Sequence, residues 1–204
     1  MSFFKNQLES LQVMLLTDLD ESVMMDLLAG SSVYTDHVEK QVRTSAKLIE
    51  ESDDLSEDEK EQQLEFLSDE MNYAKEAQEL AEELAIIGLY KTIEIRISKA
   101  AKASNLLNNS KVKELFITEK LIDHFNSINI DMISVSHFNE FKELKLLNNC
   151  LKHSGYVSQS LADTNPSVWS KDQKITDFAK HFRRLLLPNI KFLSNLGSEI
   201  RSKL

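Results

Sequence analysis

Turn-forming residues are scarce in this chain, and their scarcity restricts the folds open to it. Four glycines and two prolines occur among 204 residues. Sheet proteins need more of these residues, because tight turns between strands use their backbone conformations. The sequence therefore predicts an all-α fold. Since a chain of this length with 42% hydrophobic residues can bury a core of its own, we expect residues 1–204 to form a single all-helical domain.

Apolar residues at intervals of three and four predict long helices in the N-terminal half. These helices are expected over 3–28, 33–49 and 56–105. The first should end at Gly30, and Ser56 with Glu59 forms a capping box that begins the third. An unbroken third helix would be roughly 70 Å long. We therefore expect it to bend at Gly88 or to form an acidic helical hairpin, 33–105, with the second helix.

The C-terminal part, residues 111–204, is predicted to supply the helices of a bundle. The main ones are expected over 111–127, 137–152 and 171–201. Ser136 is the expected N-cap of the middle helix, and Pro188 is expected to kink the last one, because proline removes a backbone donor. The last helix also carries a basic cluster, interpreted as its exposed face, at Lys180, His181, Arg183 and Arg184.

Charge is divided unevenly along the chain. Residues 1–83 carry 22 acidic and 6 basic side chains, whereas residues 84–204 carry 11 acidic and 18 basic ones, so the net charges are −16 and +7. A basic part can attract a polyanion, or it can attract the acidic part of its own chain or of a partner. Attraction within the chain is the preferred interpretation, and the acidic helices offer a surface to a protein partner.

Several classes of protein are excluded by patterns that the sequence lacks. Cys150 is the only cysteine, which excludes a disulfide framework and favours a reducing cytoplasm. The N-terminus lacks the basic region of a secretory signal, and no apolar run approaches the roughly 20 residues of a membrane span. No histidine follows a carboxylate by three residues, as bundle di-metal sites require. The common phosphate-binding loops are also absent, so no metal or cofactor is expected.

One polar helix face stands out near the end of the predicted helix 137–152. At 100° per residue, its polar members fall on one side, opposite the apolar residues that would face the core. They are Lys142, Lys145, Asn149, Lys152 and His153. Lysines and an amide can hold a phosphate backbone beside a histidine that exchanges protons near neutral pH. The alternative is an ordinary solvated helix face.

The stretch HFNEFKELKLLNNCLKHSG, residues 137–155, resembles the motif helix of the HEPN superfamily of small helical bundles. The resemblance implies a metal-independent ribonuclease, toxin or antiphage protein that forms a homodimer, in which an Arg-x4–6-His motif from each subunit meets in one cleft. By this resemblance, His153 is the catalytic histidine and Asn149 the polar residue that follows the motif arginine. Asn148 occupies the arginine position.

An amide at position 148 stabilises a developing phosphate charge only weakly compared with a guanidinium. Lys145 or Lys152 could supply a positive charge instead. The resemblance therefore implies either altered chemistry or a non-catalytic relative that keeps the fold for binding.

Two hypotheses follow from these observations. The first is a HEPN-like protein that binds or cleaves RNA, with His153 as the acid and base and with Lys142, Lys145, Asn149 and Lys152 positioning the phosphate. The second is a helical interaction module, in which the acidic helix pair binds another protein and the polar face of helix 137–152 is structural.

Overall fold

The computed structural model describes residues 2–204, with side chains from Phe4 onward. Its helices are α1 (Ser2–Thr17), α2 (Glu21–Glu50), α3 (Glu57–Ala103), α4 (Asn109–Val112), α5 (Thr118–Asn126), α6 (Phe138–His153), α7 (Gln159–Thr164) and α8 (Phe178–Arg201), with a short 3-10 turn at Met132–Ser134. Across these residues the extended pairing is one isolated antiparallel bridge, between Tyr156 and Lys174. The prediction of an all-α fold is confirmed.

The chain divides into two compact units. Residues 1–21 with 86–204 form the first, and residues 22–85 form the second. Because the boundary falls inside α3, this helix contributes to both units. The predicted hairpin, 33–105, overlaps the second unit and extends into the first. Whether residues 1–204 fold cooperatively as a single domain stays a prediction.

In the first unit, aromatic and aliphatic side chains of α6 and α8 form much of the core. Phe141 stacks on Phe192 with ring centroids 4.5 Å apart, and Phe138 lies 6.1 Å from Phe192. Leu144 and Leu147 of α6 are fully buried. Each turn of α6 thus places one apolar side chain in the core, which fixes the face that it presents to solvent.

The second unit is an antiparallel hairpin of α2 and the first part of α3. The Thr35 hydroxyl donates a hydrogen bond to the Ala74 carbonyl at 3.3 Å, and the connection between the two helices is only residues 51–56. The predicted capping box is present, because the Glu59 carboxylate accepts from the Ser56 amide at 2.9 Å and the Glu59 amide donates to Ser56 Oγ at 3.4 Å. α3 continues unbroken through Gly88.

The predicted break at Gly30 is wrong, since Gly30 lies inside α2 and the chain breaks at residues 18–20 instead. The end of α1 is fixed by a side chain distant in sequence. The Arg96 guanidinium donates to the carbonyls of Leu16 and Asp18, at 3.1 and 2.7 Å. Those two bonds satisfy carbonyls that a continuing helix would otherwise use. A glycine inside a helix costs only about 1 kcal/mol, which is too little to end α2.

Three predictions in the C-terminal part are also wrong in detail. Ser136 is not the N-cap of α6, because His137, with φ of 68°, occupies that position. Residues 171–177 are not helical, since the backbone amides of Val157 and Ile175 bond the carbonyls of Gln173 and Gly155, both at 2.9 Å. The predicted helix 111–127 is divided into α4 and α5. In the second and third cases, bonds from outside the segment override the local helix pattern: the pairing of 173–175 with 155–157, and the bond from Lys145 to the Phe116 carbonyl.

No helix within residues 2–204 combines the length and the apolar composition needed to cross a membrane.

α1 packs closely on α8 at Gly197, and we expect that a methyl group cannot be added there. A Cβ at Gly197 would collide with the side chain of Thr17, whereas a Cβ at Gly30 would meet nothing within 4 Å. Overpacking should make Gly197→Ala less stable by about 1–3 kcal/mol, and Gly30→Ala should be more stable by about 0.5–1 kcal/mol. Urea unfolding of the two variants measures both changes. Equal effects of the two substitutions would contradict the close contact.

Candidate functional site

The polar face of α6 is partly free and partly committed to structure. Lys142, Asn149, Lys152 and His153 are exposed. Lys142, Lys152 and His153 form no hydrogen bond or ion pair with the described residues, and Asn149 Oδ1 accepts from the Asn148 amide at 3.3 Å. These side chains are therefore available to a ligand.

Lys145, the remaining lysine of this face, is held by the segment between α4 and α5. Its ammonium donates to the Phe116 carbonyl at 2.7 Å and to Thr118 Oγ1 at 2.6 Å. Burial lowers the pKa of Lys145, while the nearby carboxylates of Glu94 and Glu119 act to raise it. Two carboxylates beside this ammonium oppose the approach of a phosphate. The structure thus gives Lys145 a role in fixing the 113–117 segment.

Asn148, at the position that the HEPN resemblance assigns to the motif arginine, lies in the core. It is 1% exposed, and its Oδ1 atom has no hydrogen-bond partner among the described residues. A buried amide cannot contact a phosphate bound on the exposed side of α6, where His153 lies. The surface around His153 therefore lacks the fixed fork of donors that a motif arginine would provide.

His153 is the last residue of α6, and its position is set by the turn that follows. Gly155 adopts φ of +71°, and its amide donates to the Cys150 carbonyl at 2.9 Å. This left-handed residue ends the helix, as glycine commonly does. The chain then reverses toward Tyr156, which pairs with Lys174. His153 is consequently displayed at the helix end.

A partly buried ion pair lies on another side of α6, and the sequence pattern did not predict it. The Glu143 carboxylate, 4% exposed, accepts from Arg184 Nη2 at 2.6 Å and Nη1 at 3.2 Å, and from Trp169 Nε1 at 2.5 Å. These three donors satisfy the carboxylate and join α6, α8 and the 165–169 turn. The interpretation of Arg184 as part of an exposed face is wrong, although its neighbour Arg183 is exposed.

His181 completes this cluster. Its ring stacks on Trp169 with centroids 4.2 Å apart, and its Nδ1 atom is buried without a hydrogen-bond partner among the described residues. Burial and the nearby Arg184 cation hold the pKa of His181 below its usual value. The ring is therefore neutral near pH 7, and the cluster lies at the contact between α6 and α8.

The hairpin presents a surface of a different kind. Most large apolar side chains on its outer side are more than half exposed, from 54% to 71%. The members are Val23, Leu27, Tyr34 and Leu48 of α2 with Phe66, Tyr73, Leu80 and Leu84 of α3; we call this set the hairpin face. The seven-residue spacing of Phe66, Tyr73 and Leu80 is readable in the sequence, but the sequence does not show which apolar stripe of each helix faces the other helix.

No group of histidine, cysteine, aspartate and glutamate side chains within the described part of the chain is arranged to hold a metal ion.

Removing Arg184 should be far more costly than removing Arg183. Arg184→Leu leaves the buried Glu143 carboxylate without its main partner. Because the Arg184 side chain is 31% exposed, the expected loss is about 2–3 kcal/mol, below that of a fully buried pair. Arg183→Leu, one residue away and exposed, should change stability by less than about 0.5 kcal/mol. Chemical denaturation of both variants tests the difference, and similar losses would contradict the role assigned to Glu143.

Comparison of this chain with protein-family models, with curated proteins and with solved structures finds no match.

Proposed function

We propose that this protein is a helical interaction module whose hairpin, residues 22–85, binds another protein. The observation that carries the proposal is the hairpin face. Covering large apolar side chains that line one side of two paired helices is favourable, because it removes apolar surface from water. Large exposed apolar patches therefore mark interaction sites. Scattered single residues would need no such explanation.

The charge of the hairpin favours a protein over a nucleic acid as its ligand. Residues 22–85 carry 18 acidic and 5 basic side chains. A phosphate backbone would be repelled by this surface, whereas a basic protein surface would be attracted. A vesicle of anionic lipid would be repelled for the same reason.

A photoreactive amino acid placed on the hairpin face should capture the partner. Benzoylphenylalanine in place of Tyr73, in the full chain expressed in its native cells, is expected to form a covalent adduct with another protein on irradiation. Lys75 is the matched control, because it is exposed but lies about 200° around the helix from Tyr73. Mass spectrometry identifies the adduct. Absence of an adduct at 73, or equal adducts at 73 and 75, would count against the proposal.

A second candidate function, RNA binding by α6, is favoured by a separate observation. Lys142, Asn149, Lys152 and His153 form an exposed polar surface with basic character, and none is engaged in an ion pair with the described residues. In the HEPN-like arrangement, two such surfaces would meet across a homodimer. Because Asn148 is buried and Lys145 is held by Phe116 and Thr118, this candidate is RNA binding, with any cleavage dependent on His153.

Salt dependence tests the RNA candidate. If Lys152 contacts a phosphate of single-stranded RNA, Lys152→Ala should lower the slope of log affinity against log salt by about 0.7. Lys171→Ala, in an exposed loop position, serves as the control and should leave the slope unchanged. Any RNA cleavage should disappear in His153→Ala. No measurable affinity for a single-stranded RNA at about 50 mM salt, where phosphate contacts are strongest, would exclude the candidate.

A further inference from the structure

The hairpin helices each carry two apolar stripes, and the inner stripes fix how they pair. In α2 the inner stripe contains Leu28, Thr35 and Val42, and in α3 it contains Leu67, Ala74 and Ala81, each at steps of seven. The bond from Thr35 to Ala74 sets the register. One heptad away on either side, Leu28 then faces Ala81 and Val42 faces Leu67, as expected of an antiparallel coiled-coil pair.

The outer stripe of each helix lies one residue before the inner stripe. Leu27 precedes Leu28 and Tyr34 precedes Thr35, while Phe66 precedes Leu67 and Tyr73 precedes Ala74. One residue is a rotation of about 100°. Because the two helices run in opposite directions, the same step rotates both outer stripes toward the same side of the hairpin. The members of the hairpin face therefore lie on one side of the hairpin.

A shallow groove lies between the two helices on this side of the hairpin. It has a volume of about 490 Å³ and is lined by His37, Lys40, Gln41, Thr44, Ser45, Leu67 and Glu70. His37, Gln41 and Thr44 continue the outer stripe of α2, and Glu70 continues that of α3, so the groove lies between the two outer stripes. From Val23 to Leu48 the surface extends about 38 Å, the length of a helix of three to four heptads.

Acidic residues flank the α3 side of this surface. Asp69, Glu76 and Glu83 each follow a member of the hairpin face by three residues, namely Phe66, Tyr73 and Leu80. Residues three apart are neighbours on a helix surface, and these positions correspond to the charged flanks that select partners in coiled coils. None of the three forms a hydrogen bond or ion pair with the described residues. Glu70, inside the groove, likewise has no such partner.

We infer that the partner of the hairpin is an amphipathic α-helix with lysine or arginine along one flank, which lies in the groove and packs against both outer stripes. This inference rests on the proposed function and adds the class of partner. Basic side chains of the incoming helix pair with Asp69, Glu76 and Glu83, and one of them reaches Glu70, which fixes the register as single polar core positions do. A second copy of this chain is disfavoured, because it would bring two hairpins of net charge −13 together.

Synthetic helical peptides of about four heptads test the inference with the full-length protein. One peptide has leucine and isoleucine along its apolar stripe and lysine at the flanking positions; the other has the same apolar stripe with glutamate at those positions. Fluorescence anisotropy should show at least about tenfold tighter binding of the lysine peptide, a difference of about 1.4 kcal/mol. An excess of the lysine peptide should also reduce the yield of the photo-crosslinked adduct at position 73.

A charge reversal with a matched control locates the binding site. The double substitution Asp69→Lys/Glu76→Lys should lower the affinity for the lysine peptide at least about tenfold and raise the affinity for the glutamate peptide. Asp36→Lys/Glu50→Lys makes the same change in charge on α2, where each residue follows a member of the hairpin face, Tyr34 or Leu48, by two positions and points about 200° away from it. This control should change affinity much less. All four positions are at the protein surface, and circular dichroism checks that both variants remain helical.

The outcomes separate this inference from the proposed function. Equal binding of the two peptides, or equal effects of the two double substitutions, would overturn the basic-helix partner. A protein adduct at position 73 without binding of either peptide would overturn the inference and leave the proposed function standing. Absence of both the adduct and peptide binding would contradict the inference and the proposed function together. A dimer in sedimentation that dissociates on Tyr73→Asp would identify a second copy as the occupant and overturn the inference.

Discussion

The antiparallel packing of α2 on α3 determines which side chains the hairpin exposes. Small residues such as Ala74 and Ala81 on the inner stripe of α3 let larger side chains such as Leu28 approach closely, and the Thr35–Ala74 hydrogen bond fixes the register. Once that register is set, the remaining apolar residues of both helices cannot turn inward, because the inner stripes already fill the contact. They are left on one side of the hairpin. The same packing that stabilises the hairpin therefore creates its exposed face.

A comparable constraint acts on α6. The hydrogen bonds that Arg184 and Trp169 donate to Glu143, together with the stacking of Phe141 on Phe192, fix the rotation of this helix about its axis. This rotation places Asn148 inside and Asn149 and His153 outside. Asn148 and Asn149 are adjacent in the sequence, yet the first is buried and the second is exposed. The rotation separates position 148, where the HEPN resemblance would place an arginine, from the surface that carries His153.

Much of the fold could be predicted from local signals. The Ser56–Glu59 capping box located the start of α3, and the Gly155 turn located the end of α6, because both depend on residues close in sequence. Predictions failed where distant groups intervened: Arg96 ends α1, and Lys145 bonds the segment that separates α4 from α5. The candidate phosphate site was predicted by helical projection, which places side chains on a face but cannot show that Lys145 already has partners.

The sequence by itself determined the all-α class, the division of charge between the two parts of the chain and the seven-residue spacing on α3. These properties follow from composition and from periodicity along one helix. Tertiary structure alone decided which of two apolar stripes is covered, that Glu143 is buried against Arg184, and that Asn148 does not reach the surface. The physical reason is that burial depends on the neighbouring helix, and the identity and register of that neighbour are set by contacts between residues far apart in the chain.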